Sequence, residues 1–131
     1  GPAGWQAAGL DAAQIAALQR PDRAALDTAE HWLAQPGRHL LGCHDADYPA
    51  LLRRTPNPPL ALYVDGDSTV LWHPAVAVVG SRAPSAGGRD NAYGFALALA
   101  TAGFAVTSGM ASGVDAAAHR AALSRADGLT V

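Results

Sequence analysis

Apolar positions follow two kinds of pattern along the chain, and the change comes near Pro74. Val76 to Val79 is an unbroken apolar run, the pattern of a strand buried on both faces in a parallel sheet. A loop from Gly80 to Arg89 follows, Asp90 is placed to cap a helix over Asn91 to Ala102, and Gly103 suits its end. Phe104 to Thr107 supplies a second strand. After the loop Ser108 to Val114, Asp115 is placed to cap a helix running to Arg125, and Gly128 precedes a third strand at Leu129 to Val131. This alternation predicts an α/β fold with a Rossmann-like parallel sheet and helices on both faces. With three strands countable and the third barely begun, the expectation is the first part of such a sheet, with one strand edge and some apolar surface uncovered.

The pattern before Pro74 is shorter in period and more broken. Asp11 is placed to cap a helix over Ala12 to Leu18, which Arg20-Pro21 ends because a residue before proline disfavours the helical region. Asp22 is placed to cap a second helix on which Leu26, Ala29 and Leu33 share a face, with Pro36 and Gly37 as the stop. His39 to Cys43 reads as a strand, Asp47 as the cap of a short helix through Arg54, and Leu60 to Val64 as another strand before an Asp65-Gly66 turn. The expected organisation is a helical segment over 1–36 and the Rossmann-like part over 37–131.

Composition narrows the class. Of 131 residues, half are hydrophobic and 15% charged, enough for a buried core and too apolar for disorder. The longest unbroken apolar run, Phe95 to Ala100, is far short of a membrane span, which needs about 20 residues. A lone cysteine, Cys43, has no internal disulfide partner, and no basic, apolar leader opens the sequence; a cytoplasmic location is the expectation. Net charge is -2, but unevenly spread: residues 1–75 carry five Arg against seven Asp and one Glu, residues 76–131 four Arg against three Asp. The second part is therefore the expected anion binder. All nine cations are arginine, so lysine-dependent chemistry is excluded and any phosphate contact falls to Arg or backbone.

Two polar loops fall at the carboxyl ends of the predicted strands, where open parallel sheets bind ligands. Gly80, Ser81 and Arg82 combine close backbone approach, a hydroxyl donor and a forked guanidinium. Ser108, Gly109 and Gly113 belong to a glycine-rich loop leading into a helix, where inward N–H groups and the helix dipole favour an anion. Asp115 and His119, four apart on one helix face, read as a cap with a histidine bonded to it or to neighbouring backbone, or as supports of the loop. Ser112, Asp115 and His119 stand in hydrolase order without the GxSxG elbow, and neither a Walker A lysine nor a GxGxxG is present. Cys43, His44, Asp45 and Asp47 lack metal-ligand spacing. No catalytic residue, metal or cofactor is therefore assigned.

The stretch VAVVGSRAPSAGGRDNAYGFALALATAGFAVTSGMASGVDAAAHRAAL, Val76 to Leu123, resembles the DNA-processing protein A family, DprA or Smf, in its VGSR loop and its SGxAxGID-like segment ending in AAH and AL. Asp47-Tyr48-Pro49 with Leu51-Leu52, then Pro58-Pro59 and Leu62 to Gly66, is similar to the family's DYPxLL and PPxLYxxG stretches. The resemblance implies single-stranded DNA binding and loading of the RecA recombinase onto that strand in natural transformation, without known catalysis, by a protein that can form a homodimer at full length. It implies that Gly80, Ser81 and Arg82 contact phosphate, with Ser108, Gly109 and Gly113 lining the same pocket. Ser112 stands where the family often has an arginine. The second part has only Tyr93, Phe95 and Phe104 as aromatics, all in or beside predicted core elements, so phosphate contacts are expected to dominate. The alternative is a nucleotide-binding or nucleotide N-glycosidic hydrolase domain of a related Rossmann-like fold.

Overall fold

A computed structural model describes residues 1–131. Three helices open the chain: α1 (Pro2–Ala7), α2 (Ala12–Gln19) and α3 (Arg23–Leu33). Asp11 and Gln14 close a reciprocal capping box on α2, the Asp11 carboxylate accepting from the Gln14 N–H at 2.8 Å. Asp22 caps α3 in the expected way, accepting from Ala25 N at 3.2 Å. The helix α1 was not expected from the pattern; it buries no residue, so no periodic apolar signal marks it.

Strands β1 (Arg38–Gly42) and β2 (Ala61–Asp65) form an antiparallel pair in which Arg38 stands opposite Asp65 and Gly42 opposite Ala61. The first of these pairs is also an ion pair, at 3.2 Å. Trp32 fastens α3 to this pair: its ring lies edge-on to Tyr63, with centroids 5.5 Å apart, and the Arg38 guanidinium sits 4.8 Å from its centre. The connection includes α4 (Ala50–Arg53) and Tyr48, which is fully buried and donates its hydroxyl to Pro59 O at 2.8 Å. Asp47 does not cap α4, as the sequence suggested. Pro49 holds that position without a side-chain bond, and the Asp47 carbonyl instead accepts from the Trp72 indole at 3.0 Å, at the end of a 3₁₀ turn (Ser68–Trp72).

The parallel unit consists of β3 (Ala75–Ala77), α5 (Ala86–Thr101), β4 (Ala105–Thr107) and α6 (Val114–Leu123). β3 and β4 pair in parallel, and a further parallel bridge joins Val106 to Thr130, held by Val106 N to Leu129 O and Val131 N to Val106 O, both 2.9 Å. Leu129 to Val131, expected as a third strand, is present as this single bridge on the far side of β4. Helices α5 and α6 pack against each other and against β4 through Ala96, Ala100, Ala118, Ala121 and Ala122 around Val106. Alanine at these positions lets the helix axes approach closely, and the stripe Ala92, Ala96, Ala100 explains why α5 turns one narrow face inward. The strand buried on both faces is β4, where Ala105 and Val106 are inaccessible. The run expected to be buried, Val76 to Val79, is the edge: Val76 and Val78 are half-buried, and Val79 is 72% exposed because β3 has a partner on one side alone.

The start of α5 also differs. Ser85, not Asp90, is the N-cap, accepting from Gly88 N at 3.1 Å, so the helix begins at Ala86 and takes in Gly87 and Gly88, which read as loop in the sequence. No helix is long and apolar enough to cross a membrane.

Candidate phosphate-binding site at the strand ends

The two loops that the sequence singled out meet where β3 and β4 end. Ser108 donates its hydroxyl to Val78 O at 2.7 Å, tying the second loop to the last residues of the first strand run. Val114 N donates to Ser81 O at 3.1 Å, and the Ser112 hydroxyl to Arg82 O at 3.3 Å. Gly113 makes this contact possible. Its φ is +85°, and a Cβ there would collide with Ser81 O and stand 2.6 Å from Arg82 O. A Cβ on Gly80 would stand 2.9 Å from the Val114 side chain. Gly80, Ser81, Arg82, Ser108 and Gly113 are therefore brought together by mutual backbone contact, with Gly109 on the adjoining turn.

Their individual uses depart from the sequence reading. The second loop is not an open nest for an anion. The Asp115 carboxylate, in a residue 7% exposed, accepts from Ala111 N at 3.3 Å, and a Cβ on Gly109 would lie 3.0 Å from it. Asp115 is not the N-cap of α6; Gly113 is, and Asp115 sits in the first turn, where its negative charge already complements the helix dipole. The Ser81 oxygen accepts from Ala83 N at 3.1 Å, which leaves its own hydrogen to donate. Ser108 spends its hydrogen on the strand. His119 makes no hydrogen bond to Asp115. Its Nδ1 is 2.7 Å from the Thr130 hydroxyl, which itself donates to Val106 O at 2.7 Å, so His119 anchors the third strand instead of the loop.

Free cationic capacity lies on the first loop. Arg82 is exposed and pairs with no carboxylate; the two ion pairs of the molecule are Arg38–Asp65 and Arg125–Asp127. With α5 starting at Ala86, Arg89 falls in its first turn, exposed and likewise unpaired, and the N–H groups of Ala86 and Gly87 have no protein acceptor. Arg89 and this turn were not singled out from the sequence. The signal that could have found them is Pro84-Ser85, a proline before a capping serine. Chemically, the edge offers a forked guanidinium, a second arginine, a hydroxyl hydrogen and free backbone donors, a set suited to a phosphodiester.

A short parallel sheet with two crossover helices and a polar site at its carboxyl edge defines a Rossmann-like domain fragment. The fold is similar to that in an X-ray structure of DNA processing protein A (DprA) from Streptococcus pneumoniae, with a TM-score of 0.65 and 28% identity over 92% of this chain and 45% of that one. The sequence profile of the DNA recombination-mediator protein A family matches residues 39–131, and the chain belongs to that family. It is 39% identical to protein Smf of Escherichia coli K12 over 118 residues, 90% of this chain and 32% of that protein. It is 30% identical to the DNA processing protein DprA of Bacillus subtilis over 98 residues, 74% of this chain and 33% of that protein. The chain thus spans about a third of the length of these relatives.

Proposed function

We propose that this chain binds single-stranded DNA through phosphate contacts at the strand ends, as the DNA-contacting part of a DNA-processing protein that loads RecA in recombination and transformation. The observation that carries this reading is Arg82: an exposed, uncompensated guanidinium on a loop locked in place by Gly113 and Val114. The loop backbone is already placed by these bonds, so contact with a phosphate orders little beyond the Arg82 side chain itself. Arg89 and the Ser81 hydroxyl extend the same edge. The family's names, recombination mediator and DNA processing, support the same class of ligand. We assign no catalytic step to the chain. Ser112, Asp115 and His119 are each engaged elsewhere, with Arg82 O, Ala111 N and Thr130 respectively. RecA and a second copy of the full-length protein are proposed partners on family membership alone.

Titration with a labelled oligonucleotide, beside incubation with AMP, tests the reading. It expects saturable oligonucleotide binding and no release of free adenine. Release of the base that stops in Asp115→Asn would replace it with nucleotide N-glycosidic hydrolysis.

A further inference from the structure

We propose that Asp115 makes the phosphate edge select the phosphodiesters of a continuous strand over terminal phosphates and free nucleotides, because it keeps an uncompensated negative charge beside the Arg82 loop. The proposal rests on the phosphate reading above and names the class of phosphate that the site takes. After Pro74 the chain has three aspartates and no glutamate. Asp127 is paired with Arg125 at 2.9 Å, and Asp90 is exposed on α5, where water and salt screen it. Asp115 differs from both. It is the one buried charged residue of the molecule, and neither ion pair includes it. Its carboxylate accepts a single long bond, from Ala111 N at 3.3 Å, and the loop Ser108 to Val114 contains no basic residue. One neutral donor and the α6 dipole offset such a charge only in part.

This charge stands close to the proposed phosphate position. Asp115 follows Val114, whose N–H meets Ser81 O at 3.1 Å, and the same loop reaches Arg82 O through the Ser112 hydroxyl at 3.3 Å. The carboxylate therefore lies within about 10 Å of the Ser81-Arg82 backbone, the reach of a charge at 0.1 M salt. Two arginines and free N–H groups alone would favour the ligand with the greater negative charge. Asp115 opposes that preference, and repels a doubly charged phosphomonoester about twice as strongly as a singly charged phosphodiester. At this distance each ligand charge should lose about threefold in affinity. A phosphodiester inside a strand carries one charge per phosphate, whereas a terminal phosphate or a nucleotide 5′-phosphate carries up to two.

The test compares thymidine 5′-monophosphate with its methyl ester at pH 8, where the two share base and sugar and differ by one charge. Affinities are read from the N–H signals of Ser81 and Arg82 in NMR titrations of the whole chain at one stated salt. The parent protein should bind the methyl ester at least as tightly as the monoester; tighter binding of the monoester overturns the proposal without recourse to a variant. Asp115→Asn, whose amide oxygen can still accept from Ala111 N, should shift the ratio of the two affinities about threefold toward the monoester. An unchanged ratio also overturns the proposal. Arg82→Ala separates this inference from the reading beneath it. Weaker binding of both probes in Arg82→Ala, with a ratio indifferent to Asp115, retains the phosphate site and removes only the selection by charge. Unchanged binding of both probes in Arg82→Ala removes the phosphate reading itself, and the selection with it.

Discussion

Ten of the thirteen buried residues lie between Ala92 and Ala122, and three, Ile15, Leu41 and Tyr48, lie in the first 74 positions. The parallel unit therefore holds the core, while the helices and hairpin before it are held by a few specific contacts: the Trp32–Tyr63 edge contact, the Arg38–Asp65 pair and the Tyr48–Pro59 bond. The difference follows from side-chain size and pattern. Alanine stripes on α5 and α6 bring two helices onto one strand and remove small residues wholly from water, whereas Leu51 and Leu60 of the first region stay 81% and 84% exposed. It also places the loop that carries Arg82, the proposed phosphate ligand, on the unit that holds the core.

The largest expected effect comes from the point where the two loops of the rigid unit touch. Gly113→Ala forces a side chain into the carbonyls of Ser81 and Arg82 at φ +85°, and should destabilise the chain by about 3 kcal/mol or more in denaturant unfolding. Gly94→Ala is its counterpart in the middle of α5, where a Cβ meets nothing within 4 Å, and should stabilise by about 0.5 to 1 kcal/mol. Equal effects would dissolve the distinction between a contact glycine and a helical one.

Next in size is the contrast between the regions themselves. Val106→Ala opens a void under both helices and should cost about 2 kcal/mol, while Leu60→Ala should change stability by less than about 0.5 kcal/mol. A loss at Leu60 as large as that at Val106 would show that the first region carries a core of its own.

The smallest effect concerns the exposed turn after β2. The Asp67 carboxylate accepts from the Thr69 hydroxyl and from its N–H, and these bonds hold its pKa below the ordinary aspartate value. The folded value is the lower one, so this group's stabilisation is present above the unfolded pKa and is lost as pH falls through the folded one. Thr69→Val should raise the Asp67 titration midpoint toward the ordinary value in an NMR pH series; an unmoved midpoint would mean that the hydroxyl bond does not form in solution.

The parallel unit was legible in outline because its apolar runs and glycines report local structure, so β4, α6 and the Leu129–Val131 stretch follow from Phe104 to Val131, although neither Asp90 nor Asp115 is the cap expected. The start of α5 was misplaced because Gly87-Gly88 carries a breaker signal that the Ser85 cap and tertiary packing override. The pair Asp115 and His119 shows the limit for the site. Their spacing puts them on one helix face, but the partners they choose, Ala111 and Thr130, are set by where a loop and a third strand fall after folding. The gathering of the two loops was readable from strand order, since both follow parallel neighbours. The approach of Tyr63 to α6 was not, because no local period links a hairpin to a helix so distant in sequence.

The central claim is that Arg82 holds a phosphate of single-stranded DNA, and the salt dependence of binding tests it most directly. Affinity for an oligonucleotide, measured over a series of salt concentrations, should fall linearly on logarithmic axes in the parent protein. In Arg82→Ala the line should lie lower and its slope should be shallower by about 0.7, one phosphate contact on a single strand, and alike for all base compositions. Parallel, superimposed lines for parent and variant would contradict the assignment of Arg82 and with it the phosphate-binding edge.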